Sequence, residues 1–330
     1  MTEPVHEGPS LMTQAARLYF DRQLSKVEIA AALGISRFRV ARLIAQALES
    51  GLVRIEYRDA PSSDRALAGA IEERFGLDLC VVAGGSSDLG DVARLAASIV
   101  DDLVGPDDVV GIAWGSTLAA VVAAMPSRSD PSISVVQLAG SSINSGRTQD
   151  PAEIARLLAE RWGASHQPLF APAFVDTPTL REALLRQPDL VATTSMFGRL
   201  TMAILGVGAF GTSPDGSSLV RSGALSHDVV DSLISSGVVG DLLLYPVTAD
   251  GAFPATDLSS RAMCISVDGL RAVRRVVAVA AGSAKAPAIC GALRSGIVRI
   301  LVTDAAAARR IVAIAGVGTN VTPQRSRHRA

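Results

Sequence analysis

The chain has 330 residues, 48% of them apolar and 19% charged, which supplies enough apolar material for large buried cores and argues against wholesale disorder. Its 31 basic and 32 acidic residues nearly cancel, so no general positive field advertises nucleic acid and any such site has to be local. Three scattered cysteines (Cys80, Cys264, Cys290) argue against a disulfide framework or a structural zinc site, and no metal or cofactor is expected.

The length suggests about two domains. Met1 to Ser10 carries acids and prolines rather than a signal peptide, and no apolar run approaches the roughly 18 residues of a membrane helix. A reduced, cytoplasmic protein without a membrane partner is expected. Leu11 to Phe20 reads as a helix. Ser25-Lys26-Val27-Glu28 has the spacing of a capping box, opening a second helix that ends at Gly34, a residue suited to a left-handed cap. Ser36 caps a third helix that runs to about Ser50 and stops at Gly51. Leu52 to Tyr57 then alternates apolar and polar residues as a short strand does. Ala60-Pro61-Ser62-Ser63-Asp64 marks a boundary, so residues 1–60 form a first domain.

Two helices joined by so short a turn must cross steeply. Ala30 provides the close approach, Gly34 the positive φ, and Ile29, Leu33, Ile35, Val40 and Leu43 the small core. That is the pattern of a DNA-binding helix-turn-helix. On the third helix Val40, Leu43, Ile44 and Ala47 share one side, with Phe38, Arg42, Ala45 and Gln46 opposite and Arg39 at the edge. Arginine can grip guanine, glutamine adenine, and phenylalanine a thymine methyl. Six basic and three acidic residues between Ser25 and Arg58 give a local charge of the right sign for phosphates. The candidate DNA-contacting residues are Ser36, Arg37, Phe38, Arg39, Arg42, Gln46 and Arg54. A docking module with a solvated arginine face is the alternative.

From about residue 61 to 322 the pattern changes. Apolar, β-branched runs at Leu79–Ala83, Val109–Trp114, Ile133–Leu138, Leu200–Val207, Val276–Ala280 and Val298–Thr303 alternate with helical stretches at Val92–Val104, Ala152–Trp162, Thr179–Arg186, Asp228–Ser235 and Ala286–Arg294. This predicts an α/β domain with a mainly parallel sheet covered on both faces. Residues 323–330 read as a disordered basic tail.

Three Gly-rich turns follow strands. Gly111 to Leu118 leads into a helix near Ser116, whose amides, with the hydroxyls of Ser116 and Thr117, suit a phosphate or sugar oxygens; an ordinary capped helix is the alternative. Ala280 to Lys285 places one of the chain's two lysines at a strand's carboxyl end, where ligands collect in such sheets. Gly206-Val207-Gly208-Ala209-Phe210-Gly211 matches a dinucleotide fingerprint by letter but is followed by a turn, leaving a close backbone approach to a smaller ligand. Asp176, Asp250 and Asp304 lie at strand or loop ends and suit sugar hydroxyls or loop capping equally. The histidines are scattered, and no catalytic constellation is assembled.

Ala15 to Phe20, Leu24 to Ala30, Leu33 to Arg37, Gly51 to Ile55, Trp114-Gly115-Ser116-Thr117-Leu118, Ala171 to Asp176, Gly237-Val238-Val239-Gly240-Asp241 and Leu301-Val302-Thr303-Asp304 together carry a likeness over nearly the whole length. On these segments the chain resembles the SorC family of bacterial sugar-responsive transcriptional regulators. It implies a small N-terminal winged helix-turn-helix followed by a large Rossmann-like effector domain similar to phosphosugar isomerases, and assembly with itself as a dimer or tetramer. The partners it implies are operator DNA and a small sugar, polyol or sugar phosphate. By this likeness Gly115, Ser116 and Thr117 hold a phosphate or terminal hydroxyl, while Asp250 and Lys285 contact the rest. Trp114, Gly115, Ser116, Thr117, Gly208, Asp250 and Lys285 are the effector candidates. The expected function is sequence-specific regulation of carbohydrate or polyol metabolism, without enzymatic activity. The alternative is a phosphosugar isomerase or deaminase with a helical appendage.

Overall fold

The computed structural model describes residues 10–20, 22, 24–53, 64–84, 88–142, 149–211 and 216–316. The chain divides into two compact units, Met1–Ala60 and Pro61–Ala330.

The first unit contains helices α1 (Leu11–Phe20), α2 (Lys26–Leu33) and α3 (Arg37–Glu49). The capping box forms as the spacing predicts. Glu28 N–H donates to Ser25 Oγ (3.3 Å), and Ser25 N–H donates to Glu28 Oε2 (2.8 Å). Gly34 closes α2 at φ 65°, a left-handed conformation that carries little penalty only without a Cβ. Ala15, Ile29, Val40 and Ile44 form the core of this unit, with Leu18, Leu24, Leu33, Ile35 and Leu43 packed around them. Most of the strand expected over Leu52–Tyr57, Arg54 included, lies outside the described residues, as do the boundary Ala60–Ser63 and the tail 323–330.

Among the described residues of the second unit nine strands form one sheet: β1 (Leu79–Ala83), β2 (Val109–Ile112), β3 (Ser134–Gln137), β4 (Ser165–Gln167), β5 (Met202–Ala209), β6 (Val238–Leu242), β7 (Tyr245–Thr248), β8 (Arg275–Val279) and β9 (Ile300–Asp304). Seven of them run in the order β1-β9-β8-β5-β2-β3-β4, and every neighbouring pair in that row is parallel. Parallel strands need helical crossovers that bury both faces, which is why these strands read as unbroken apolar runs. Helices including α4 (Arg65–Phe75), α5 (Leu89–Leu103), α6 (Ser116–Ala124) and α7 (Pro151–Trp162) share one continuous apolar cluster with the strands. The fold is α/β with a mainly parallel sheet.

Two features depart from the expected pattern. Gly206 and Gly208 are not in a turn: β5 continues through them to Ala209. Gly208 is a glycine because β6 folds back antiparallel over this end of β5, pairing Gly208 with Asp241 and Ala209 with Gly240. A Cβ on Gly208 would overlap Asp241 Oδ1, and one on Gly240 would overlap the Gly208 carbonyl. The second departure is β7, which extends this addition as an antiparallel hairpin with β6.

The row also has a topological switch point. From β2 the chain moves outward through β3 and β4, then returns to β5 on the other side of β2 and proceeds through β8 to β9. The crossovers therefore diverge between the carboxyl ends of β2 and β5, where open α/β sheets form their ligand crevice. At the outer edge of β1 two outward-facing backbone groups are occupied. Cys80 N–H donates to Glu72 Oε1 (2.7 Å), and the Val82 carbonyl accepts from Asp64 N–H (3.1 Å). Edge strands are commonly blunted in such ways.

Candidate functional site

The cleft at the switch point is lined from β2 and the start of α6 by Ala113 to Thr117, from β5 by Gly206 to Gly208, and from β6 by Asp241. Gly216, Ser218, Arg221, Leu243 and Lys285 complete it. The cavity itself is small, about 30 Å³, and is open to solvent. The structure thus brings together Trp114, Gly115, Ser116, Thr117, Gly208 and Lys285.

Gly115 is the residue on which α6 opens. It stands at φ 110°, and as a glycine it offers no side chain to cap the helix. The first backbone bond of α6 runs from Ala119 N–H to the Gly115 carbonyl (3.0 Å), so the amides of the first turn point outward without an intrahelical acceptor. Ser218 Oγ lies 2.7 Å from where a Cβ on Gly115 would stand, a further restriction at this position. Arg221 reaches over the same helix start. Its guanidinium donates to Ser218 Oγ (2.9 Å) and Ser116 Oγ (3.4 Å). Amides, helix dipole and guanidinium together make an anion-favouring corner.

Asp241 stands at the opposite pole. It is buried, and its Oδ1 has no hydrogen-bond partner among the described residues. Burial pushes its carboxyl up to about 7, against the opposing influence of the Ser217 hydroxyl and the charges of Lys285 and Arg221. Asp241 was not among the candidates read from the sequence. The usable signal was an acid inside the apolar run Val238–Leu242, since a carboxylate in a buried strand needs a reason to be there.

A pH dependence follows. The native protein keeps the Asp241 proton up to about pH 7, whereas an unfolded chain releases it near the ordinary value of 3.8. The native state therefore binds more protons across that window, and this contribution to stability is present below the window and lost as pH rises through it. Urea unfolding of wild type and Asp241→Asn at pH 5 and pH 8 should show the variant gaining on wild type at pH 8, by on the order of a few kcal/mol. An equal difference at the two pH values would contradict the raised carboxyl.

Asp250 is elsewhere, which corrects its assignment to the effector group. The register sets Thr248 opposite Val238, beyond the last β5–β6 pair and one further strand out. There Asp250 is solvent-exposed and accepts from the Thr248 hydroxyl, which holds its carboxyl below the usual range. Its role is to close the turn after β7. Asp304 is likewise occupied: it caps the helix Ala305–Ala315 through Ala307 N–H (2.7 Å) and accepts from Gly282 N–H. Asp176 is exposed and does not line the cleft.

In the first unit, Ser36 Oγ caps α3 by accepting from Arg39 N–H (3.3 Å). Val40, Ile44 and Ala47 are buried, and Arg37, Phe38, Arg39, Arg42, Ala45 and Gln46 are exposed, so the two sides of the helix separate as its periodicity predicts. The guanidinium of Arg37 lies 5.1 Å from the centre of the Phe38 ring.

Residues 59–313 match the Sugar-bind family model, a sugar-binding domain. The chain belongs to the SorC family of sugar-binding transcriptional regulators. It is 29% identical over 311 residues to the deoxyribonucleoside regulator of Bacillus subtilis (strain 168), covering 93% of this chain and 98% of that one. To the erythritol catabolism regulatory protein EryD of Brucella abortus (strain 2308) it is 28% identical over 312 residues, with 92% and 96% covered. The solved full-length sorbitol operon regulator SorC of Klebsiella pneumoniae superposes with a TM-score of 0.70 at 25% identity, covering 92% of this chain and 98% of that one. This SorC-family chain is a DNA-binding regulator of carbohydrate metabolism and not an enzyme, which sets aside the isomerase or deaminase alternative. Among the described residues no helix is long and apolar enough to cross a membrane.

Proposed function

We propose that residues 1–60 bind operator DNA and that residues 61–322 bind a phosphorylated sugar or polyol, whose binding changes operator affinity. The observation that carries the effector assignment is the open amino end of α6 under Arg221, facing buried Asp241 across one cleft. The phosphate sits on the amides and hydroxyls of Gly115, Ser116 and Thr117 with Arg221 and Lys285 as counter-charges. The sugar hydroxyls extend along Trp114 and Gly208 toward Asp241. On DNA, Arg39, Arg42 and Gln46 reach base edges, with Phe38 beside them, while Ser36, Arg37 and Arg54 lie nearer phosphates. The protein works as a homo-oligomer, dimer or tetramer, on paired half-sites, because one helix-turn-helix reads too few base pairs for useful specificity. Its three cysteines are free and buried, in keeping with a cytoplasmic setting.

A neutral polyol is the second reading, favoured by the partnerless Oδ1 of Asp241. Calorimetry with sorbitol, erythritol and 2-deoxyribose beside their phosphate esters separates the two, with operator binding followed in parallel. A phosphate ester should bind where its parent does not, and shift operator affinity by about five- to a hundred-and-fifty-fold, the usual range of such coupling. Its affinity should fall as pH rises through 7, because ionised Asp241 repels an anion, while a polyol donating to that carboxylate gains. A panel in which no member binds would displace the effector site.

A further inference from the structure

We propose that Arg37 and Phe38 form one reading unit for the 5-methyl group of a thymine in the operator, an inference that rests on the DNA-binding role of α3.

Phe38 is 74% exposed, the most exposed large apolar side chain among the described residues. It is the second residue of α3, on the side opposite Val40, Ile44 and Ala47, and contributes nothing to the core of its unit. Water is a poor resting place for an aromatic ring, so an occupant that covers it gains apolar burial. Its surroundings select that occupant. Arg37, Arg39 and Arg42 are exposed on the same turns, with no ion pair or hydrogen bond from their guanidinium groups among the described residues. An apolar protein surface laid over Phe38 would have to strip water from these cations, whereas a nucleic acid supplies counter-charges for them. In the major groove the one apolar group offered by the base pairs is the thymine methyl.

The stacking of Arg37 adds pre-organisation. A guanidinium 5.1 Å from the ring centre favours one placement of the ring and keeps planar N–H donors beside it. The amino-terminal turn of a recognition helix is the part that meets base edges, and Ser36 fixes the start of this one. The ring therefore meets the methyl edge-on or face-on while the arginine remains free to donate to an adjacent base or phosphate.

The test uses the full chain and a duplex that it selects from a randomised pool. Each thymine of that duplex is replaced by uracil, which removes the methyl and preserves the base pair, and affinity is read by fluorescence anisotropy for wild type, Phe38→Ala and Arg37→Gln. In wild type one thymine per half-site should lose about fourfold on conversion to uracil, the factor equivalent to one buried methylene of about 0.8 kcal/mol. In Phe38→Ala the same replacement should have no effect, and in Arg37→Gln a reduced one. Phe38→Leu should restore part of the sensitivity, since it keeps an apolar contact. Uracil replacements that change wild-type affinity nowhere, or change it equally in Phe38→Ala, overturn the proposal while leaving the DNA-binding role standing. Failure of the full chain to select any duplex overturns both.

Discussion

Arg221→Ala lowers the affinity for a sugar phosphate by about thirty- to a hundredfold and leaves operator binding in the absence of effector at its wild-type value. The guanidinium spans Ser116 and Ser218 at the mouth of the cleft, over amides that have no helical acceptor. A phosphate placed there is held by donors on three sides, and loss of a charged donor in a site closed by ligand costs about 2–5 kcal/mol. The lower part of that range applies, because Arg221 is exposed before the ligand covers it. Arg221→Lys keeps the charge and loses the forked geometry, so it should recover only part of the affinity. Calorimetry reads all three proteins, and a change of less than threefold in Arg221→Ala would place the phosphate elsewhere.

Replacing Arg39 and Arg42 together by alanine lowers discrimination between the operator and unrelated DNA by at least about thirtyfold. Both side chains are exposed, and the core made by Ala15, Ile29, Val40 and Ile44 does not involve them, so the unit should fold as before. A bidentate arginine–guanine contact is worth about 1–3 kcal/mol of discrimination, and two such contacts amount to at least about thirtyfold. Anisotropy titrations over a range of salt separate base contacts from phosphate contacts. Lost base contacts lower affinity for the operator alone, whereas lost phosphate contacts lower affinity for every duplex and flatten the salt slope. Wild-type affinity in the double variant would remove α3 as the reading helix.

The helical unit was largely legible because its signals are local. Ser25 with Glu28, Gly34 and Ser36 each specify a cap within four residues, and all three caps form. The parallel strands were legible because burial on both faces leaves apolar runs such as Leu79–Ala83 and Val109–Ile112. Three strands were not. β4 is the polar tripeptide Ser165–Gln167, too short to show a period. β6 carries Gly240 and Asp241, and β7 carries Pro246, all of which weaken a strand pattern. The turn between β6 and β7 is Leu243-Leu244, both buried, with Leu243 at φ 65° where hairpins ordinarily place glycine or asparagine. Nothing in that apolar pair announces a reversal of the chain. Missing the hairpin hid Asp241, which β6 carries into the cleft, and it left Asp250, which β7 carries away, as the acid that looked available.

The closed edge of β1 bears on how such a chain can associate. Glu72 and Asp64 occupy backbone groups that another strand would need, β7 presents a proline, and β4 is only three residues long. Among the described residues the sheet has little open backbone on which to extend from molecule to molecule, the route by which fibres grow. Any association between copies would then be left to side-chain surfaces. Those contacts come apart on dilution and can be re-weighted by a small molecule, whereas strand addition tends to be permanent. Any such assembly would be kept reversible in part by the Glu72 carboxylate, which covers the outward-facing amide of Cys80.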